Sequence, residues 1–191
     1  MRHPKRSFPF HHGRSALSFV GTVGDRGSDP VERLDSPDAL ADWLAQAALA
    51  PREVAVSPRA FARALRLREA IARAVDAIVA GRRPDPDDIG TVNAAAKAAP
   101  AHVALDPATL RIVDAARDPL AAALGRVARD AIELLGDPEE RGRLRTCGLD
   151  ACGSVFLTPA GRRERRWCSM ERCGNRAKVS AYRDRQSMRA R

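Results

Sequence analysis

Aromatic side chains are scarce in this 191-residue chain, which has five Phe, two Trp and one Tyr. Its core must therefore be built from Ala, Leu, Val and Ile, a composition that favours helices. No run of about 18 apolar residues occurs, so no membrane span is expected. The opening, MRHPKRSFPFHHGRS, is basic but leads into no continuous apolar stretch. An export signal is therefore not expected, and the expected location is the cytoplasm. In that reducing compartment cysteines are more often metal ligands or catalytic groups than disulfides. Also missing are a glycine-rich phosphate loop, a nucleophile elbow, sustained heptads and any fixed-period repeat. Beyond the opening the sole histidine is His102, no Ser/His/Asp or Cys/His set stands out, and Asp87-Asp88 reads as helix-start charge. Binding rather than catalysis is the expectation.

What is present falls into segments. Residues 1–14, with His3, His11 and His12, read as a loosely ordered leader. SALSFVGTV (15–23) is a short apolar element, and GDRGSD after it a turn. A helix-start signal then recurs at five Ser-Pro or Asp-Pro pairs, those of Ser36, Ser57, Asp85, Asp118 and Asp137. Each joins an N-capping oxygen to a proline suited to the first helical position. Leu40, Trp43, Leu44 and Ala47 line one helix; Phe61, Leu65, Ile71, Val75 and Ile78 a second; Leu120, Leu124, Val127, Ala131 and Leu134 a later one. HVALDPATLRIVD, between the third and fourth helices, suggests a small hairpin. Residues 15–136 thus read as a helical domain and 137–145 as a linking helix, with Glu140 completing a capping box. The fold class expected is mainly α with a small β-hairpin (α+β), ending in a small treble-clef or ribbon-like module over 146–191.

Cysteine is absent from the first 146 residues and then occurs four times, as TCGLDAC and WCSMERC. The C-x4-C-x15-C-x4-C spacing offers two thiolates from each of two tight turns. Cys147, Cys152, Cys168 and Cys173 are therefore read as ligands of one structural Zn2+. Two disulfides or an iron–sulfur cluster would use the same residues; the compartment weighs against the first, the hairpin-sized gap against the second. Within the gap, Val155–Leu157 reads as a strand, Pro159–Gly161 as a turn and Arg166-Trp167 as the returning strand. The second pair then opens a helix, with Phe156, Trp167, Gly174 and Asn175 in structural roles, Trp167 against the knuckle and Asn175 as a cap.

Charge concentrates in the same place. Residues 141–191 hold fourteen basic and four acidic residues, whereas residues 1–140 are nearly neutral. Arg162, Arg163, Arg165 and Arg166 fall on the hairpin; Arg176, Lys178, Arg183 and Arg185 on the helix, with Val179 and Tyr182 turned toward the hairpin. A rigid helix carrying arginines suits a major groove or a row of phosphates.

RRWCSMERCGNRAKV (165–179) resembles the signature of the CGNR zinc-finger family, the tetrapeptide being Cys173-Gly174-Asn175-Arg176. RTCGLDACGSVFLT resembles that family's first cysteine pair and following strand. In the family the finger follows an alanine-rich helical domain called ABATE, and SALSFVGTVGDRG is similar to that domain's opening motif. The resemblance implies a stress-induced transcription regulator. Members usually carry Asn at the position of Gly21, so any ligand role of that Asn is lost here. The function expected is a DNA-binding transcription regulator, with duplex DNA as partner and the helical domain as sensor or dimerisation unit. An RNA- or ribosome-associated zinc module and an acidic-protein-binding module are the alternatives.

Overall fold

In the computed structural model each of the five Ser-Pro and Asp-Pro pairs read as helix starts does begin a helix. Ser36 and Ser57 accept from Ala39 and Ala60 N–H at 3.2 Å, Asp118 from Ala121 at 2.9 Å, and Asp85 and Asp137 from the second residue on at 2.8 Å. Each bond satisfies one of the N–H groups that a helix start leaves unpaired. The structure describes residues 7–97, 103–110, 112–114, 118–161 and 165–189. In order they form α1 (Ser15–Val20), β1 (Val23–Gly24), β2 (Val31–Glu32), α2 (Pro37–Gln46), α3 (Pro58–Val79), α4 (Pro86–Lys97), β3 (Val103–Leu105), β4 (Ile112–Asp114), α5 (Pro119–Gly136), α6 (Pro138–Gly142), β5 (Leu144–Thr146) and β6 (Val155–Leu157). A π-turn (Met170–Gly174) then leads into α7 (Asn175–Arg189). Among the described residues the strands pair in sequence, β1 with β2, β3 with β4 and β5 with β6, all antiparallel. The expected mainly helical body with a small cysteine-bearing module is what the chain forms, and the β3–β4 hairpin is present.

Alanine builds much of the core. On α3, Ala60, Ala64, Ala70 and Ala74 are buried beside Leu67, Ile71 and Val75. Small side chains let α4 and α5 approach closely, so the buried face lies toward the alanines, and Phe61, Leu65 and Ile78 of the expected stripe are only partly covered. Trp43 is fully buried against Phe19, ring centroids 4.8 Å apart.

Arg68, on that face of α3, is buried too. Its guanidinium donates to both Glu32 oxygens at 2.7 and 2.6 Å, to Glu69 at 2.8 Å and to Thr22 at 3.2 Å. Glu69 in turn accepts both terminal nitrogens of Arg26 at 3.0 and 3.1 Å. The network fastens the β1–β2 hairpin, whose tip begins with Asp25 in the left-handed region (φ 49°), onto α3.

Three expectations are corrected. Residues 7–14 are not a loose leader: Phe8 joins the core, His12 is buried, and its carbonyl accepts the Leu157 N–H at 2.9 Å. Residues 1–6 of that segment lie outside the described residues. Secondly, Glu140 completes no capping box; it faces Arg14 and Arg143 at 3.4 Å, drawn by charge away from the helix start. Thirdly, β6 pairs with β5 rather than with Arg166-Trp167, in the register Leu144↔Leu157, Arg145↔Phe156, Thr146↔Val155. The turn of this hairpin is the first cysteine knuckle, and β5 begins within the segment read as a linking helix.

Arg68→Ala takes its buried partner from Glu32, an exposed residue that still accepts the Leu34 N–H at 2.7 Å. Because Glu32 keeps some solvent, a loss of about 2–4 kcal/mol is expected rather than the full cost of a stranded buried charge, measured by urea unfolding.

Candidate metal centre

Each cysteine pair is set by its own turn. In the first, Cys147 N–H reaches the Ser154 carbonyl and Cys152 N–H the Leu149 carbonyl, both at 2.8 Å. Gly153 closes this knuckle at φ 60°, and a Cβ there would lie 2.6 Å from Gly27 N of the β1–β2 tip. A left-handed turn and a close approach thus both require glycine. Ser28 adds a hydroxyl bond to the Ala151 carbonyl at 3.2 Å. In the second pair, the Ser169 hydroxyl caps the π-turn by accepting Arg172 N–H at 3.3 Å, and Cys173 sits buried within that turn. Asn175 is therefore not the cap; it is already helical, and its side chain donates to the Glu171 carbonyl at 2.9 Å.

The two turns converge. All four sulfurs are buried and lie within 4.8 Å of one another. Cys152 and Cys168 sulfurs are 3.7 Å apart, Cys168 and Cys173 3.5 Å, and none is bonded to another. Sulfurs about 2.3 Å from a tetrahedral zinc stand about 3.8 Å from one another, so the donor set fits the ion. Four protein thiolates close the coordination sphere, leaving zinc a structural role: holding two turns together.

The surrounding chemistry agrees. Sulfurs this close cannot all ionise together unless a cation compensates them. Hydrogen bonds from Cys147 and Cys168 draw the Cys152 thiol far down, the Cys147 contact pushes Cys168 far up, and burial pushes Cys173 up to about 12. A divalent cation replaces that conflict with four equivalent thiolates. Phe156 is fully buried against the cysteines, Trp167 packs on the same cluster, and Gly174 is buried beside Met170. On the side facing the helical body stand His11 and His12, both neutral because burial lowers their pKa values, that of His12 to about 3.

The basic residues divide. Arg165 donates to the His11 carbonyl at 2.9 Å and the Leu157 carbonyl at 3.3 Å and lies 4.5 Å over Phe156. It ties the finger together, and is corrected from the nucleic-acid contact expected of it. Arg166 lies 5.4 Å over Trp167 and stays exposed. Arg176 pairs with Asp25 at 2.7 Å, half exposed. Lys178, Arg183 and Arg185 are exposed on α7; Arg162 and Arg163 lie outside the described residues. Val179 and Tyr182 do not face the hairpin: they are 49% and 58% exposed, because α7 leaves the module as a projecting rod. Sequence reasoning missed His12, Asp25, Arg33 and Arg68. For the histidine a signal existed: FPFHH holds two of the chain's five phenylalanines, an unlikely composition for a solvated tail.

One zinc per chain is expected by elemental analysis, and Cys168→Ser should abolish it. Because Leu144, Val155 and Leu157 belong to the helical core, that variant should also lower the melting temperature of the body. Protons compete for every sulfur, so zinc affinity should fall as pH drops from 8 to 6; chelator competition at stepped pH checks the sign.

No curated protein matches the chain by sequence. Two family models do: the CGNR zinc finger over residues 143–186, and ABATE, described as "Putative stress-induced transcription regulator", over residues 13–138. The helical body and the thiolate-bearing finger each lie within one of these matches, and the chain belongs to the ABATE family with a CGNR zinc finger.

Proposed function

We propose that the protein is a DNA-binding transcription regulator whose zinc-fixed α7 enters the major groove of duplex DNA, with the helical body as the sensing or pairing unit. The reading rests on the surface of α7. Over 15 residues, about 22 Å of helix, its described side chains are exposed apart from a half-covered Ala177. Val179, Tyr182 and Gln186 fall on one face at i, i+3 and i+7, and Tyr182 accepts from Gln186 at 2.9 Å. Arg176 and Arg183, seven apart, flank that stripe on one side; Lys178 and Arg185, also seven apart, flank it on the other. A helix in the major groove has base edges below it and a phosphate strand on either side. An apolar and amide stripe suits the bases, thymine methyl and adenine included, and basic flanks suit the phosphates. A-form RNA has a major groove too narrow for such a helix, which favours DNA. Four thiolate ligands leave the metal no open position for a substrate, in keeping with a binding role and no enzymatic one.

Enrichment from a pool of duplexes with a randomised core should give a consensus bound about 10³-fold or more above random sequence. Arg183→Ala should weaken all duplexes alike and lower the salt slope by about one. Tyr182→Ala should keep the slope and lose the preference. Equal affinity for every duplex, or stronger binding to structured RNA, would refute the reading.

A further inference from the structure

Between the finger and the helical body lies a small cavity of about 40 Å³, whose wall includes His11, His12 and Arg33 from the body and Cys152, Cys168 and Cys173 from the finger. Ring nitrogens of His11 and His12 and the Cys168 sulfur lie within 4.8 Å of one another. His12 is 98% covered, yet its Nδ1 has no hydrogen-bond partner, and neither has the buried Nη1 of Arg33. Orphaned buried donors and acceptors are costly, so these atoms need an explanation that the protein atoms alone do not supply.

Zinc with four thiolates carries two formal negative charges, and buried thiolates are tuned by the groups that donate to them from outside the coordination sphere. The cavity wall holds three guanidiniums, Arg33, Arg172 and Arg176, against the single carboxylate of Asp25. The surplus of two positive charges matches the centre it faces. We infer that His11, His12 and Arg33, all from the helical body, form the outer shell of the zinc–thiolate centre, directly or through a water in the cavity, so that zinc binding and docking of the finger onto the body are one coupled equilibrium. Linkage then works both ways: the body raises zinc affinity, and zinc holds residues 7–14 and the β1–β2 hairpin against the finger. The inference rests on the structural zinc, not on DNA binding. A second metal on His11, His12 and Cys168 is the competing use of the same atoms, and the three guanidiniums oppose it.

The test uses the full-length zinc-loaded chain. His12→Asn and Arg33→Gln are compared with the unchanged protein for zinc transfer to a chromophoric chelator, and for the thiolate-to-metal charge-transfer band after cobalt substitution. Both variants should hold zinc 10–100-fold more weakly and shift the band. In the unchanged protein, removing zinc should speed amide exchange in residues 7–14 and 21–33 at least tenfold, while residues 127–134 of α5 stay protected. Zinc affinity within twofold of the unchanged chain in both variants overturns the inference, as does exchange indifferent to zinc. So does a second zinc per chain that disappears with His12. Should His12→Asn fail to fold, Arg33→Gln and the exchange measurement decide.

Discussion

Four sulfurs packed this closely repel one another as soon as they ionise, and the finger exists because a dication turns that repulsion into attraction. A segment of about 45 residues with so few large apolar side chains buries too little surface to fold alone. The constraint reaches further than the metal's ligands through one strand. Along β6 the side chains alternate: Val155 and Leu157 join the helical core, while Phe156 packs on the cysteines. The two-residue period of a strand thus makes three residues a shared wall between two hydrophobic clusters.

Local chemistry was legible in the sequence, and long-range partnership was not. Capping oxygens followed by prolines marked five helix starts because a cap involves neighbours only. The ligands were legible because zinc demands thiolates in tight pairs. Misreadings arose where a residue's partner lies far away. The pairing of β6 with β5 across the knuckle looks, in one dimension, no better than pairing with Arg166-Trp167. Arg68 reads as one more arginine on an arginine-rich helix until Glu32 and Glu69 converge on it. Val179 and Tyr182 have helical spacing that ordinarily marks a buried face, and here it marks an exposed one.

The projecting α7 has few partners of its own. A free helix of 15 residues is marginal in water, and the anchors described for this one lie at its N-terminal end: the π-turn, Cys173 and the Arg176–Asp25 pair. Rigidity therefore declines along its length. Arg176 stands close to a fixed frame; Arg183 and Arg185 stand two to three turns further out, where a bound polyanion would supply the ordering that the fold does not.

The bond from Arg165 to the His11 carbonyl joins residues 154 positions apart. During synthesis at about 5–20 residues per second, His11 waits roughly 8–30 s for the arginine that binds its carbonyl. Until then the His11 and His12 carbonyls lack the Arg165 guanidinium and the Leu157 N–H that they accept from, and the helices made in between must avoid aggregation without those bonds. The heavy use of alanine, which exposes little apolar surface per residue, suits a core whose last wall, at Val155 and Leu157, is made well after its other helices.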